Sequence, residues 1–294
     1  MIFDKVVIQS GKNGHKINVT PLLLDPVNFF GDHQVDHIVK FKDLFKQIIG
    51  KYHDQFGSWN LKNLEENQIF VLENYYRDAK YLMDKINKVV QKIVHNPDLY
   101  HNTGIAKEYF LLAKKGYEML HKHEKQFKID DLKLPAISLE RAGLVTTRLA
   151  LGLGRNTLIK NEIRVVTKRT HLKGEPITNL SVTVQWRDKR QLKKINHQSI
   201  LISDFVNPAS GASSTAFILV TEKLGFKPNK IFHRSISLTQ AGVLLMKKAL
   251  TEMGIKSVFY SVGAASELNS NYYLVGNRTV GDAGHILRHF LPKD

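Results

Sequence analysis

From about residue 133 onward, short apolar runs alternate with stretches of helical period, and this alternation restricts the possible folds more than any other feature of the chain. Lys133 to Leu139 is a strand candidate and Ala142 to Leu153 a helix. Thr157 to Thr167 and Asn179 to Trp186 are β-rich runs flanking the turn residues Lys173-Gly174-Glu175-Pro176. Ser199 to Ser203, a helix over Ser213 to Leu224, strand Lys230 to Ser237, helix Gln240 to Met253 and strand Ser257 to Val262 complete the series. Parallel neighbours need long crossovers, which helices supply, so the pattern predicts an α/β domain with a mainly parallel sheet and flanking helices. Ligands of such sheets sit at the carboxyl ends of the strands.

The first part of the chain has a different period. Val6 to Ile8 and Lys16 to Thr20 are short β-like runs around Ser10-Gly11-Lys12-Asn13-Gly14, and from Asp36 onward the pattern reads as helical. Leu72, Tyr75, Ala79, Leu82, Ile86, Val89 and Ile93 recur at spacings of three and four within Leu64 to His95, which predicts one long helix stopped by Asn96-Pro97-Asp98. Ile105, Tyr109, Leu112 and Leu120 predict a second over Thr103 to Gln126. Its tyrosines and those of the first helix could stack on nucleic acid, although aromatics at helical spacing are more often packing material. The period changes near Ile129-Asp130-Asp131, so 1–128 reads as a mostly helical N-terminal extension and 129–294 as the α/β domain, two units that suit the length of 294 residues.

Composition narrows the chemistry. With no Cys, disulfides, thiolate metal sites and Cys nucleophiles are excluded. The 43 Lys and Arg against 27 Asp and Glu leave a formal charge of +16, which favours anionic partners such as phosphate esters or nucleic acid. Neither a signal nor a transit peptide is evident in Met1-Ile2-Phe3-Asp4-Lys5, and no apolar run reaches the roughly 18 residues of a membrane span. The expectation is a cytoplasmic protein without a membrane segment.

The most informative stretch runs from Ile200-Leu201-Ile202-Ser203-Asp204 through Ala209-Ser210-Gly211-Ala212-Ser213 into an apolar helix. A buried strand ends at an acidic residue, and a loop of small, hydroxylated residues then opens a helix. Small side chains let backbone N–H groups approach a phosphate, hydroxyls add donors, and the helix N-terminus contributes partial positive charge. Asp204 is suited to accept hydrogen bonds from sugar hydroxyls. The same residues also read as an ordinary helix cap.

Hydrophobic strand, Asp, spacer and small-Ser-Gly-small-Ser together resemble the phosphoribosyl pyrophosphate loop of the type I phosphoribosyltransferases, in particular the uracil phosphoribosyltransferase branch. Leu139-Glu140-Arg141-Ala142-Gly143-Leu144 is similar to that branch's Leu-Arg-Ala-Gly-Leu segment. Glu267-Leu268-Asn269, Tyr273-Leu274-Val275 and Gly281-Asp282-Ala283-Gly284 are similar to its base-pocket elements, and all three follow the family order. The resemblance spans residues 135 to 292 and implies a type I phosphoribosyltransferase-like sheet with a β-arm. It implies transfer of ribose 5-phosphate from phosphoribosyl pyrophosphate to a pyrimidine, uracil-like, or another nitrogenous base, with release of pyrophosphate.

On that reading Arg141 and Arg169, the latter on the β-arm, would face the leaving pyrophosphate, and Ala209, Ser210, Gly211, Ala212 and Ser213 would hold the 5′-phosphate. Mg²⁺ would be bound mainly through the substrate, with no dedicated protein metal site. Tyr273, Leu274 and Val275 would present main-chain groups to the base, Gly281, Ala283 and Gly284 would close its pocket, and Asp282 would orient it or order metal-bound water. A homodimer is a further expectation of the family. The chain departs from the pattern at Ala212, at Ala265 where an Asp is expected, at Gly276, which follows Val275 where the family has Pro, and at His285. These departures leave open a different base, or a non-catalytic nucleotide- or RNA-binding protein that keeps the fold. His285 and His289 have the spacing of a zinc pair without an identifiable third ligand, and His121 and His123 read as solvated helix residues. The Lys and Arg between Lys160 and Lys194 could gather anionic substrate or bind RNA.

Overall fold

A computed structural model describes residues 6–11, 36–42, 69–123, 134–140, 143, 145, 147, 161–170, 179–186, 189–206, 212–265, 267–268, 274–275 and 286–287. In chain order these form strands β1 (Val6–Gly11), β2 (Asp36–Lys42) and β3 (Ile69–Val71), then helices α1 (Arg77–His95) and α2 (Thr103–His123). There follow β4 (Ala136–Glu140), β5 (Glu162–Thr170), β6 (Asn179–Trp186), β7 (Ser199–Val206), α3 (Ala212–Lys223), β8 (Lys230–Thr239), α4 (Gln240–Glu252) and β9 (Lys256–Ala265), with β10 (Glu267–Leu268) and β11 (Leu274–Val275) last. Nine strands make one sheet in the order β1-β2-β6-β5-β4-β7-β8-β9-β3, and β10 and β11 pair separately. From β5 across to β3 every pairing is parallel, while β6, β2 and β1 continue the other edge antiparallel. The mainly parallel α/β sheet read from the sequence is present.

The strands are apolar on both faces because helices cover both. Ile200 and Ile202 of β7 join a core with Phe217 and Ile218 of α3 and Val243 and Met246 of α4. Leu201, between them, joins the opposite core with Leu82 and Ile86 of α1 and Tyr109 and Tyr117 of α2, as the two-residue period of a strand requires. Residues Ile231 to Thr239 of β8 are all buried, which places this strand at the centre. Thr239 caps α4 by accepting a hydrogen bond from Gly242 N at 3.0 Å, and Asn102 Oδ1 accepts from Gly104 N and Ile105 N at the start of α2.

Residues read as an N-terminal extension therefore supply strands to both edges of the sheet and one of its two helical layers. The fit is close. A Cβ on Gly263 of β9 would lie 2.6 Å from Met83 Cγ of α1, so only glycine lets this helix reach the sheet. Gly263→Ala is expected to cost about 1–3 kcal/mol in urea unfolding. Adding Met83→Ala should return part of that loss, since the two changes share one space.

Two expectations are corrected. The stretch Asp36–Lys42 is not helical: it is strand β2, where Val39 and Phe41 alternate with Lys40 and Lys42 and pairing to β6 decides the conformation. Tyr75 is not on the helical stripe. Leu72–Asn74 is a 3₁₀ turn, the N–H groups of Tyr75 and Tyr76 both bond back to Leu72 O, and α1 starts only at Arg77. The β-like run Lys16 to Thr20 lies outside the described residues.

Candidate functional site

The direction of strand addition reverses around β4. The chain passes from β4 to β5 on one side, and after β6 it returns to β7 on the other. The covering helices change face at the same point. Val145, in the segment after β4, packs with α1 and α2, whereas Phe217 of α3, after β7, packs on the opposite face. Helices that leave neighbouring strands toward opposite faces open a crevice at the strands' carboxyl ends, the usual ligand position in open parallel sheets.

The residues singled out from the sequence approach this crevice from several strands. Glu140 ends β4, so Arg141 is the next residue in the chain, although Arg141 itself lies outside the described residues. Gly143 has helical backbone, and a Cβ there would stand 3.2 Å from Leu139 Cβ and 3.8 Å from the Ser203 carbonyl oxygen. Gly143 thus stands close against β7, one residue before Asp204. Asp204 lies near the carboxyl end of β7, in register with Ser235 of β8. Arg169 lies near the carboxyl end of β5 in register with Val182, three residues past Val166, the partner of Glu140, and so about 10 Å further along the strand direction. The hairpin read as a β-arm is β5 with β6, and the outer edge of β6 is paired to β2.

Helix α3 begins at Ala212, so its N-terminus faces the same end of the sheet. Ala209, Ser210 and Gly211 lie outside the described residues. Ser213 is half-buried, while Ser214 and Thr215 are 0% and 2% exposed and neither hydroxyl has a hydrogen-bond partner. Buried hydroxyls usually find one. Here they stand beside backbone N–H groups that a first helical turn leaves unsatisfied, which suits an anion rich in oxygen acceptors.

Sequence reasoning missed a further row of hydroxyls. Asp204, Ser235 and Ser261 share one register across β7, β8 and β9, and Ser237 stands two residues beyond Ser235. Ser235, Ser237 and Ser261 are buried. Ser261 donates to Gly263 O at 2.7 Å, whereas the Ser235 and Ser237 hydroxyls have no partner. The available signal was Ser235 and Ser237 alternating with the apolar Ile236 and Leu238. In the same strand His233 lies against Phe259, ring centroids 5.8 Å apart, and burial pushes its pKa from 6.5 to about 3, so at neutral pH it carries no charge. Arg234 is also buried. Loss of water lowers its pKa, and Tyr260 and Tyr117 act in the opposite direction.

Ala265 ends β9, and a single residue separates it from β10. Leu274 pairs with Leu268 and Val275 with Glu267, so the chain forms a small hairpin immediately beyond the carboxyl end of the sheet. Glu73 Oε1 accepts from Ala264 N at 2.9 Å and ties that strand end to the turn before α1. Tyr273, Gly281, Asp282, Ala283, Gly284, His285 and His289 lie outside the described residues. His121 is exposed and His123 is half-buried with its ring against Tyr76, and no metal-binding cluster occurs among the described residues. None of the described helices is long and apolar enough to cross a membrane.

No protein-family model matches the sequence, and no curated protein matches it. Among solved structures, the AQ2163 protein from Aquifex aeolicus is similar over 74% of this chain and 97% of its own, with a TM-score of 0.49 and 14% identity. APRTase from Giardia lamblia, complexed with 9-deazaadenine, is similar over 58% of this chain and 85% of its own, at TM-score 0.35 and 16% identity. Adenine phosphoribosyl transferase from Trypanosoma brucei, in complex with AMP, pyrophosphate and ribose-5-phosphate, is similar over 67% and 83%, at 0.35 and 12%. These neighbours do not select the uracil branch.

Proposed function

We propose that the crevice between β4 and β7 binds phosphoribosyl pyrophosphate and that the protein transfers its ribose 5-phosphate to a nitrogenous base. The observation that supports this most directly is the pair of buried, unpartnered hydroxyls of Ser214 and Thr215, in the first turn of the helix that opens beside the reversal of the sheet. In this reading the turn and the loop Ala209 to Ser213 receive the 5′-phosphate, and Asp204 accepts hydrogen bonds from the ribose hydroxyls. As the anomeric C–O bond breaks, its electron pair leaves on pyrophosphate, toward which Arg141 and Arg169 direct positive charge. A ring nitrogen of the base forms the new C–N bond and the base gives up a proton.

The oxygen donors at this end of the sheet suit a hard cation, and Asp204 and Asp282 are the carboxylates that could order its water. Mg²⁺, if brought in with the pyrophosphate, would supply charge neutralisation. Leu274 and Val275, on the hairpin beyond β9, would border the base, a role the resemblance also gives to Tyr273 and Gly281 to Gly284. The test is pyrophosphate release from phosphoribosyl pyrophosphate and Mg²⁺ with a panel of pyrimidines and purines that includes uracil and adenine. Release with one base and not the others confirms the reading and names the acceptor. Absence of release with every base, together with absence of calorimetric binding of phosphoribosyl pyrophosphate, overturns it. Binding without release identifies a protein that keeps the ligand and has lost transfer, as Ala212, Ala265 and His285 would explain.

A further inference from the structure

We infer that the turn between β3 and α1, with the end of α2, is a stacking platform for single-stranded nucleic acid. Large apolar side chains left exposed among the described residues are few, and three of the four lie within seven residues of one another: Tyr75, Tyr76 and Tyr81. Tyr75 is 56% exposed and Tyr81 60%. The ring of Tyr75 stacks on Phe70 of β3, centroids 5.1 Å apart and 9° from parallel, and that of Tyr76 lies 4.5 Å from the ring of His123. Lys85 Nζ sits 4.6 Å from the centre of the Tyr81 ring.

The turn is held in place. Both tyrosine N–H groups bond to the carbonyl of Leu72, whose side chain is fully buried, so the rings are presented at little further cost in order. Arg77, Lys80, Lys85 and Lys88 of α1 and His121 and Lys122 of α2 are exposed around them, with Asp78 and Asp84 as the acidic residues of the same helix face. Flat rings flanked by cations match a ligand with π-faces and phosphates. A duplex hides its bases in its own stack, which favours a single strand. A lipid surface needs an apolar helix face, and the apolar face of α1 is packed in the core. Through Glu73 and Ala264 the platform lies at the carboxyl end of the sheet, beside β3, which is three strand spacings or about 14 Å across the sheet from β7. The inference does not depend on the transferase reading.

The experiment is fluorescence anisotropy of a labelled single-stranded RNA of about 12 nucleotides, a length within the range of site sizes of single-strand-binding folds, with the full-length protein over a series of salt concentrations. Tyr75→Ala/Tyr76→Ala is expected to weaken binding about tenfold or more with an unchanged slope of log K against log salt, because stacking and not phosphate contact is lost. Tyr75→Phe/Tyr76→Phe should bind as the wild type does. Circular dichroism and melting curves establish that both variants fold. The inference is overturned if the alanine pair binds the strand as tightly as wild type, or if the wild type does not bind it. It is equally overturned if a matching duplex, or phosphatidylserine-containing vesicles, bind more tightly than the single strand.

Discussion

Asp204→Asn is expected to lower pyrophosphate release by about 10- to 100-fold with little change in melting temperature. Asparagine keeps the shape of the side chain and removes its charge. A hydrogen bond to a charged partner contributes about 1.5–3 kcal/mol, which corresponds to that range of rate if the bond strengthens as the ribose ring gains positive charge. Asp204 lies near the carboxyl end of β7, beyond the apolar run Ile200-Leu201-Ile202 that holds the strand in the sheet, so the substitution leaves the core intact. Initial rates at saturating phosphoribosyl pyrophosphate give the measurement. Release at the wild-type rate would remove Asp204 from the reaction. RNA affinity should not respond, because the tyrosine platform is three strands away.

Stability should fall on the acid side of neutrality, and His233 should be a principal cause. Its folded pKa is depressed to about 3 from an ordinary 6.5, because the imidazole is fully buried. Below pH 6.5 the unfolded chain takes up a proton that the folded chain refuses, so the contribution of this residue is complete above 6.5 and declines as pH falls toward about 3. At about 1.4 kcal/mol per pH unit the loss reaches roughly 3 kcal/mol by pH 4, a large share of the stability of an ordinary domain. His233→Leu has a similar volume and cannot titrate, so its unfolding free energy should vary less between pH 4 and 6.5. Urea melts at both pH values measure the difference. Parallel pH profiles for the two proteins would show that His233 is not the titrating group.

Much of the α/β half was legible because its signals are local. Apolar runs of strand length, crossovers of helix length and the small residues before α3 need no knowledge of the rest of the chain. The same holds for Asp204, which the sequence places at the end of an apolar run and the structure places near the end of β7. The hydroxyl row was not legible. Ser235 and Ser261 become neighbours of Asp204 only through the register of three parallel strands, which depends on pairings between residues far apart in sequence.

Tyr75 and Tyr109 fit the same helical spacing, yet Tyr109 is fully buried under the sheet and Tyr75 stands in a solvent-exposed turn. Periodicity records which residues could share a face and not where the helix begins. Likewise nothing in the chain before residue 129 indicates that β3 closes one edge of the sheet or that α1 and α2 cover one face. The amino-acid sequence by itself determined that parallel strands would be joined by helices and that one strand would end in an acid followed by a small-residue loop, since backbone geometry and burial act over a few residues. Which strands flank β4, and hence where the crevice opens, was decided only by tertiary structure. That choice depends on how whole layers, including the glycine-close contact of α1 with β9, pack against one another.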